Sequence, residues 1–261
     1  MRSIAEGVEI EVRTPRTHPL PVRTLLFRLG ANLDAALDQA YQRRPDGAGL
    51  SIISAGCSVG AEPDTLLALS RQAGHETPIT LLGIDANRRA IKAAKLGRYA
   101  TPTLYNLDYD FSKTGRTLRN GGFGKRFIIK SDISGHFDID AEPVRAGHDL
   151  SFVRGDIATV MLPRADLVMA NNVVYHLTPD KATQVIGNLA PAVAPDGILS
   201  IGGVNPQVRR RRVGEHEDRM RYDDWLHETG TMLAAEHGFT PLPVAIADTT
   251  FVTQPTIFAR D

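Results

Sequence analysis

The chain has 261 residues, in which 30 Lys and Arg balance 30 Asp and Glu; this allows one large domain with a substantial core, or a domain plus a small appendage. Zero net charge offers no global field for nucleic acid and no acidic excess that would favour disorder. The single Cys57 excludes an intrachain disulfide and suits a reducing cytoplasm, and the lack of any long apolar run supports neither a membrane span nor a signal peptide.

Residues 1–23 are polar and punctuated by Pro15, Pro19 and Pro21, which reads as an extended arm with one short strand from Val8 to Val12. From Leu25 to Tyr41 the apolar residues Leu29, Leu33, Ala36, Leu37 and Ala40 recur at helical spacing, up to the turn at 43–47. Leu50 to Ile53 is an apolar run expected to form a buried strand. A small-residue turn with Ala55, Gly56, Ser58 and Gly60 follows, and a helix opens at Glu62-Pro63. Strand, glycine turn and helix in that order place backbone N–H groups at the carboxyl edge of a sheet, where nucleotide-like ligands bind. The spacing is not G-x-G-x-x-G, so a dinucleotide fold is not the first reading, and any small-residue turn would give the same string. Cys57 within it reads as a small packed side chain or as a nucleophile.

Ile79 to Asp85 is a second apolar strand ending in an acid, about 25 residues past Gly60. Asp85 reads as a carboxylate for ribose hydroxyls or as a helix N-cap. A helix spans Asn87 to Gly97, with the glycine as its stop. Residues 100–148 break the alternation, and a short β segment at Arg126–Lys130 between loops suggests an inserted β-subdomain or hairpin. Strands resume at Leu150–Asp156, Ala165–Ala170 and Gly197–Gly202. A helix from Thr178-Pro179 to about Val193 lies between the last two. The charge-dense stretch 205–221 reads as a solvated surface helix or a lid, and its basic quartet Arg209–Arg212 is too short and too balanced to argue for nucleic acid. A last helix, Asp224–Gly238, and strands at Leu242–Ile246 and Pro255–Ala259 close the chain. Alternating strands and helices predict an α/β fold with a parallel, doubly wound sheet. The expected organisation is an arm and helix over 1–47 and a main domain over 48–261. Histidines 75, 136, 148, 216, 227 and 237 show no metal-ligand spacing.

Four segments, in order, resemble the CheR-type S-adenosylmethionine methyltransferases, a family that includes enzymes methylating glutamates of chemotaxis receptors. They are Thr24-Leu-Leu-Phe-Arg28; Ser54-Ala-Gly-Cys-Ser-Val-Gly-Ala-Glu-Pro63; Gly83-Ile-Asp-Ala-Asn87 with Ala93-Ala-Lys-Leu-Gly-Arg-Tyr99; and Ala170-Asn-Asn-Val-Val-Tyr-His-Leu177. The resemblance covers roughly residues 20–204 and implies a class I, Rossmann-like methyltransferase fold with S-adenosyl-L-methionine as cofactor. It departs from the family where Arg-Asn-Val becomes Asn171-Asn172-Val173, and where the active-site Tyr falls on His176 with Tyr175 beside it. Gly-Glu-Glu-Pro becomes Gly60-Ala61-Glu62-Pro63. Only about twenty residues stand where the family's helical domain precedes the Thr-x-Phe-Phe-Arg segment.

By that resemblance, Ala55, Gly56, Ser58 and Gly60 approach the methionine moiety and Glu62 holds its ammonium or the site entrance. Asp85 takes the ribose hydroxyls, while Asp156 and Ile157 bracket adenine. Asn171, Asn172 and Val173 line the floor beside the sulfonium, and Thr24 and Arg28 complete the cofactor set. The catalytic candidates are Arg28, Tyr175 and His176. Asp156 also reads as a cap, Asn172 as a strand-end turn and His176 as a packed or capping residue. The expected acceptor is a small molecule or a peptide side chain methylated on oxygen, with no metal, nucleic acid or membrane partner. Receptor-glutamate methylation and a cofactor-binding regulator without turnover are the alternatives.

Overall fold

Strands buried on both faces need continuous apolar runs, and the runs at Leu50–Ala55 and Ala165–Met169 form such strands. The computed structural model describes residues 8–11, 23–26, 30–45, 47–101, 128–131, 137–171, 173–174, 177, 179–201, 233, 235–242 and 256–260. They fall into two units: residues 1–30 with 57–154 (unit one), and 31–56 with 155–261 (unit two). Unit two contains a five-stranded sheet, and unit one contains a parallel pair of strands and smaller antiparallel sheets.

Unit two holds β3 (Leu50–Ala55), β9 (Ala165–Met169), β10 (Val193–Ile201), β11 (Phe239–Pro241) and β12 (Thr256–Arg260), in the order β11-β12-β10-β9-β3. β3 and β10 run parallel to β9, whereas β12 is antiparallel to β10 and β11 to β12. Every residue of β9 is buried. Ile52, Ile53, Leu167, Val168, Ile198, Leu199, Ile257 and Phe258 make the sheet core. Helix α1 (Gly30–Gln42) buries Leu33, Ala36, Leu37 and Ala40 on one stripe. At the amino end of the strands, Asp166 accepts from Ser51 N at 2.7 Å and pairs with Arg44 at 2.5 Å, satisfying a buried carboxylate.

Unit one holds β4 (Ile79–Asp85), parallel to β8 (Asp149–Arg154) over its full length. It also contains α2 (Ala61–Gln72) and α3 (Arg88–Leu96). Asn87 caps α3 by accepting from Arg89 N at 2.9 Å, and Gly97 ends it at φ 60°. The insertion is a three-stranded antiparallel sheet of β5 (Arg98–Thr101), β6 (Ile128–Ser131) and β7 (Phe137–Asp140), in the order β5-β7-β6. The short α4 (Glu142–Arg145) follows it, and β1 (Val8–Glu11) pairs with β2 (Arg23–Leu26).

Two helix boundaries differ from the sequence expectation. The helix expected from Leu25 starts at Gly30, because Arg23–Leu26 pair as β2 with Val8–Glu11 and their backbone groups serve that ladder. The helix expected to reach Val193 is α5 (Pro179–Leu189); Ala190–Ala192 tightens around Pro191 into a 3-10 turn and β10 begins at Val193. A described strand lies at Phe239–Pro241, and residues 243–246 of the strand expected at 242–246 lie outside the described set. The expected lid at 205–221 also lies outside it, as does the final helix apart from 233 and 235–238.

Candidate functional site

The turn after β3 takes its shape from three residues at positive φ. Gly56 (φ 74°) lies so close to Val173 that a Cβ there would sit 2.3 Å from Cγ2 of that valine. A side chain at position 56 would require Val173 to move. Ser58 adopts φ 52° and Gly60 φ 88°, and α2 begins from Gly60 without a side chain capping its first turn. Its leading N–H groups therefore find no side-chain acceptor at the cap.

Within unit one the turn is fastened to the end of β4. Cys57 N donates to Ile84 O at 2.9 Å, and Ser58 N donates to Asp85 Oδ2 at 2.9 Å. Asn87 N donates to Asp85 Oδ1 at 2.7 Å. Asp85 thus holds two turns together with one bond to each carboxylate oxygen. Each oxygen keeps further acceptor capacity, as a group receiving two ribose hydroxyls requires. The N-cap of α3 is Asn87, two residues beyond Asp85.

Beneath the turn, Cys57 is buried among Ile91, Ala94 and Phe152. Burial first, then the Asp85 and Glu62 carboxylates, push its thiol far above the ordinary range. The thiol stays protonated and packs as a small apolar group. A Cβ on Gly83 would meet Phe152 at 2.5 Å and Cys57 Sγ at 3.1 Å, so the β4 backbone sits tight against this packing. Glu62 is half-buried in the first turn of α2. Two residues on, the fully buried Asp64 accepts from Arg145 Nε at 2.7 Å and Nη2 at 2.8 Å. The same guanidinium donates to Ala94 O at 2.7 Å and lies 5.1 Å from the centroid of the Phe152 ring. Residue-by-residue sequence reading did not single out this ion pair, because its partners stand 81 positions apart.

In unit two, Asp156 opens a turn closed by Thr159 N and Val160 N onto its carbonyl, at 3.0 and 2.8 Å. Its Oδ1 accepts from Ala158 N at 3.0 Å and its Oδ2 faces Lys181 Nζ at 3.3 Å. Asp156 is exposed whereas Ile157 beside it is buried, so one presents a charge and the other an apolar wall. Asn188 of α5 donates to both Ile157 O and Val160 O at 2.9 Å. Past β9, Asn171 is 6% exposed; its Oδ1 accepts from Ser200 Oγ at 3.2 Å, and its buried Nδ2 finds no partner among the described residues. Ser200, a hydroxyl inside the apolar run Ile198–Ile201, was the sequence signal that a polar partner stood nearby.

The structure therefore brings Ser58 and Asp85 together in unit one, and Gly56 and Val173 in unit two. Ala55 ends β3, buried. Thr24 lies on β2 opposite Ile10. Arg28, Asn172, Tyr175 and His176 lie outside the described residues. Among the described residues no cluster of His, Cys, Asp and Glu could hold a metal, and no helix is long and apolar enough to cross a membrane.

Within unit one, a carboxylate with spare acceptor capacity at the end of β4 and a helix N-terminus without a side-chain cap fit the chemistry of S-adenosylmethionine. No curated protein matches the sequence. Among solved structures the chain is similar to magnesium protoporphyrin IX methyltransferase from Synechocystis PCC 6803 with bound S-adenosylhomocysteine, at 15% identity and a TM-score of 0.48, covering 89% of this chain and 84% of that one. It is also similar to the N-methyltransferase NodS from Bradyrhizobium japonicum WM9, at 17% identity and a TM-score of 0.44, covering 86% of this chain and 93% of that one. Likenesses at this level select neither a fold nor an acceptor. Residues 24–215, most of the chain, match the S-adenosylmethionine-binding domain of CheR methyltransferases. The chain belongs to the CheR methyltransferase family and is an S-adenosylmethionine-dependent methyltransferase.

Proposed function

We propose that this methyltransferase places its methyl group on an oxygen, a carboxylate or a hydroxyl, of a small molecule or an exposed peptide side chain. One observation carries the proposal: where the family has Arg-Asn-Val, the end of β9 presents Asn171, a buried neutral amide bonded to Ser200. The arginine of the family segment is thus replaced here, a departure from the members that methylate receptor glutamates. His176 at the family's tyrosine position supports the same view, since a neutral imidazole can take a proton from a hydroxyl.

The bound cofactor supplies an electrophilic methyl carbon on a sulfonium. Held by the residues below, it would offer that carbon to an acceptor oxygen with the sulfur as leaving group, and His176 would take the proton where the acceptor is a hydroxyl. The protein's work is to align the three atoms and exclude water, which can remove several kcal/mol from the barrier. Asp85 would fix the ribose, Asp156 and Ile157 the adenine, and Ala55, Gly56, Ser58, Gly60 and Glu62 the methionine end. Asn171, Asn172 and Val173 would form the floor. We assign Thr24 and Arg28 to the cofactor side, with Arg28 also orienting a carboxylate acceptor through a two-pronged contact. Tyr175 and His176 would flank the acceptor. We take 48–261 as the catalytic domain, with 1–47 leading into it, 205–221 as its lid, and a cytoplasmic setting.

The test is a screen of carboxylic acids, phenols and peptides with methyl-labelled cofactor. A methyl ester or ether product is expected. If the acceptor is a hydroxyl, the rate should rise through a pKa of about 6–7, and His176→Ala should cost on the order of 10² to 10⁴ in rate. If it is a carboxylate, Arg28→Ala should be the damaging change and the pH profile should be flat. Methyl found only on nitrogen or carbon, or efficient turnover on receptor glutamates, would refute the proposal.

A further inference from the structure

The segment that follows β8 has almost no regular structure of its own, yet its polar groups are closely accounted for. Asp156 O takes the N–H groups of Thr159 and Val160, and Asp156 Oδ1 takes that of Ala158. These bonds set the internal shape of the turn. They do not set its position against the rest of unit two. That is the work of α5, where two residues seven apart reach the turn: Lys181 at Asp156 Oδ2, 3.3 Å, and Asn188 at the carbonyls of Ile157 and Val160, both 2.9 Å. Seven residues are two helical turns, so both side chains leave the same face of the helix.

The two contacts differ in strength. Lys181 and Asp156 are 40% and 52% exposed, and a pair so open to water fixes little. Asn188 is half-buried, and its amide bridges two carbonyls three residues apart, one of them belonging to the buried Ile157. Removing it would strip both carbonyls of that donor and leave the turn free to shift. A turn that brackets a planar base tolerates little shift, because stacking and edge contacts both fall off within an ångström or so.

We infer that Asn188 is a positioning residue of the cofactor site: its amide holds the Ile157 and Val160 carbonyls and so sets the turn that presents Asp156 and Ile157 to adenine. The inference rests on the assignment of adenine to Asp156 and Ile157. The bonds of Asn188 go to the turn, so its loss would act through the turn. Its loss acts on the affinity for the adenine end, and the fall in kcat/KM is carried by KM for the cofactor.

The experiment measures binding of S-adenosylhomocysteine, and of its analogue with the 6-amino group replaced by oxygen, by calorimetry on the full chain. Asn188→Ala should weaken S-adenosylhomocysteine about tenfold and reduce the preference for the amino-bearing ligand. Asn188→Asp should be worse than alanine, since a carboxylate would face two carbonyl oxygens. Asn188→Gln, which keeps the N–H donors, should recover part of the affinity. If Asn188→Ala does not fold, Asn188→Ser carries the same test, its hydroxyl being unable to span both carbonyls. Affinity within twofold of wild type and unchanged base preference in the folded variant would overturn the inference. A parallel Asp156→Ala arm separates the two levels. If Asp156→Ala loses base preference and Asn188→Ala does not, the positioning role fails alone. If neither loses it, the adenine assignment fails and the inference falls with it.

Discussion

Asp85 carries two loads, and a cycle that combines substitution with ligand trimming can divide them. Its oxygens each accept one backbone N–H, from Ser58 and from Asn87. The same carboxylate is proposed to accept the two ribose hydroxyls. Replacing it with alanine removes the two backbone bonds whether or not a ligand is present. At about 1 kcal/mol for each bond of a half-exposed group, stability should fall by about 2 kcal/mol, or roughly 4–8 °C in melting temperature. The ligand part is separate. Hydrogen bonds to a charged acceptor contribute about 1.5–3 kcal/mol when buried, and water discounts that here, so two hydroxyls should give about 2–3 kcal/mol together. Affinity for S-adenosylhomocysteine should then drop roughly 30- to 150-fold. A 2′,3′-dideoxy analogue isolates that contribution. Deleting the hydroxyls should weaken binding to wild type by about the same factor and hardly matter in Asp85→Ala. Calorimetry on the four combinations, with melts run in parallel, gives the coupling directly. If hydroxyl deletion costs the same in both proteins, Asp85 is a fastener of turns and not a ribose ligand.

Other substitutions probe the supports of the site. Gly56→Ala should destabilise the fold by about 1–3 kcal/mol, from the positive φ and the 2.3 Å approach to Val173; adding Val173→Ala should relieve only the steric part, as denaturant midpoints would show. Arg145→Ala strips the cation from a fully buried Asp64 and should cost about 3–5 kcal/mol in urea unfolding, with little recovery from lysine, which cannot make the two-pronged contact; a loss below about 1 kcal/mol would count against it. His148 accepts from Ile79 N at 3.1 Å, and burial, then Arg71, lower its pKa below the usual histidine value. Between that lowered pKa and about 6.5 the unfolded chain binds more protons than the folded one. Stability should therefore be complete above about pH 6.5 and fall as pH drops toward the lowered value. His148→Gln should flatten that part of the melting temperature against pH curve, and an unchanged slope would refute the assignment.

What the sequence disclosed followed from local chemistry, and what it withheld depended on distant partners. The strand, glycine turn and helix from Leu50 onward were legible because each step has a local cause: an apolar run, residues able to take positive φ, and a proline in the first helical turn. Asn87 and Gly97 bounded α3 as their types dictate. The failures have the opposite character. Leu25, Leu29 and Leu33 satisfy a helical period, but a ladder with residues some fifteen positions earlier claims Arg23–Leu26 for a strand. Arg145 carried no signal of its own, because its partner Asp64 stands 81 positions away. Asn188 gave no signal, since a polar residue on a helix is ordinarily solvent-facing.

The same division runs through the candidate site. Backbone-shaping residues such as Gly56 and Gly60 can be read from type alone, because few others tolerate their φ angles. The role of Asp85 could be narrowed but not fixed from sequence, since a strand-end acid before a helix is equally a cap. The geometry removes only the cap reading: Asn87 caps α3, and Asp85 accepts instead from the backbone N–H groups of Ser58 and Asn87. A carboxylate held by two backbone donors is already oriented before any ligand arrives. Little side-chain freedom then remains to be lost on binding, and the contribution of each hydroxyl bond to affinity should be correspondingly larger than at a freely rotating acid.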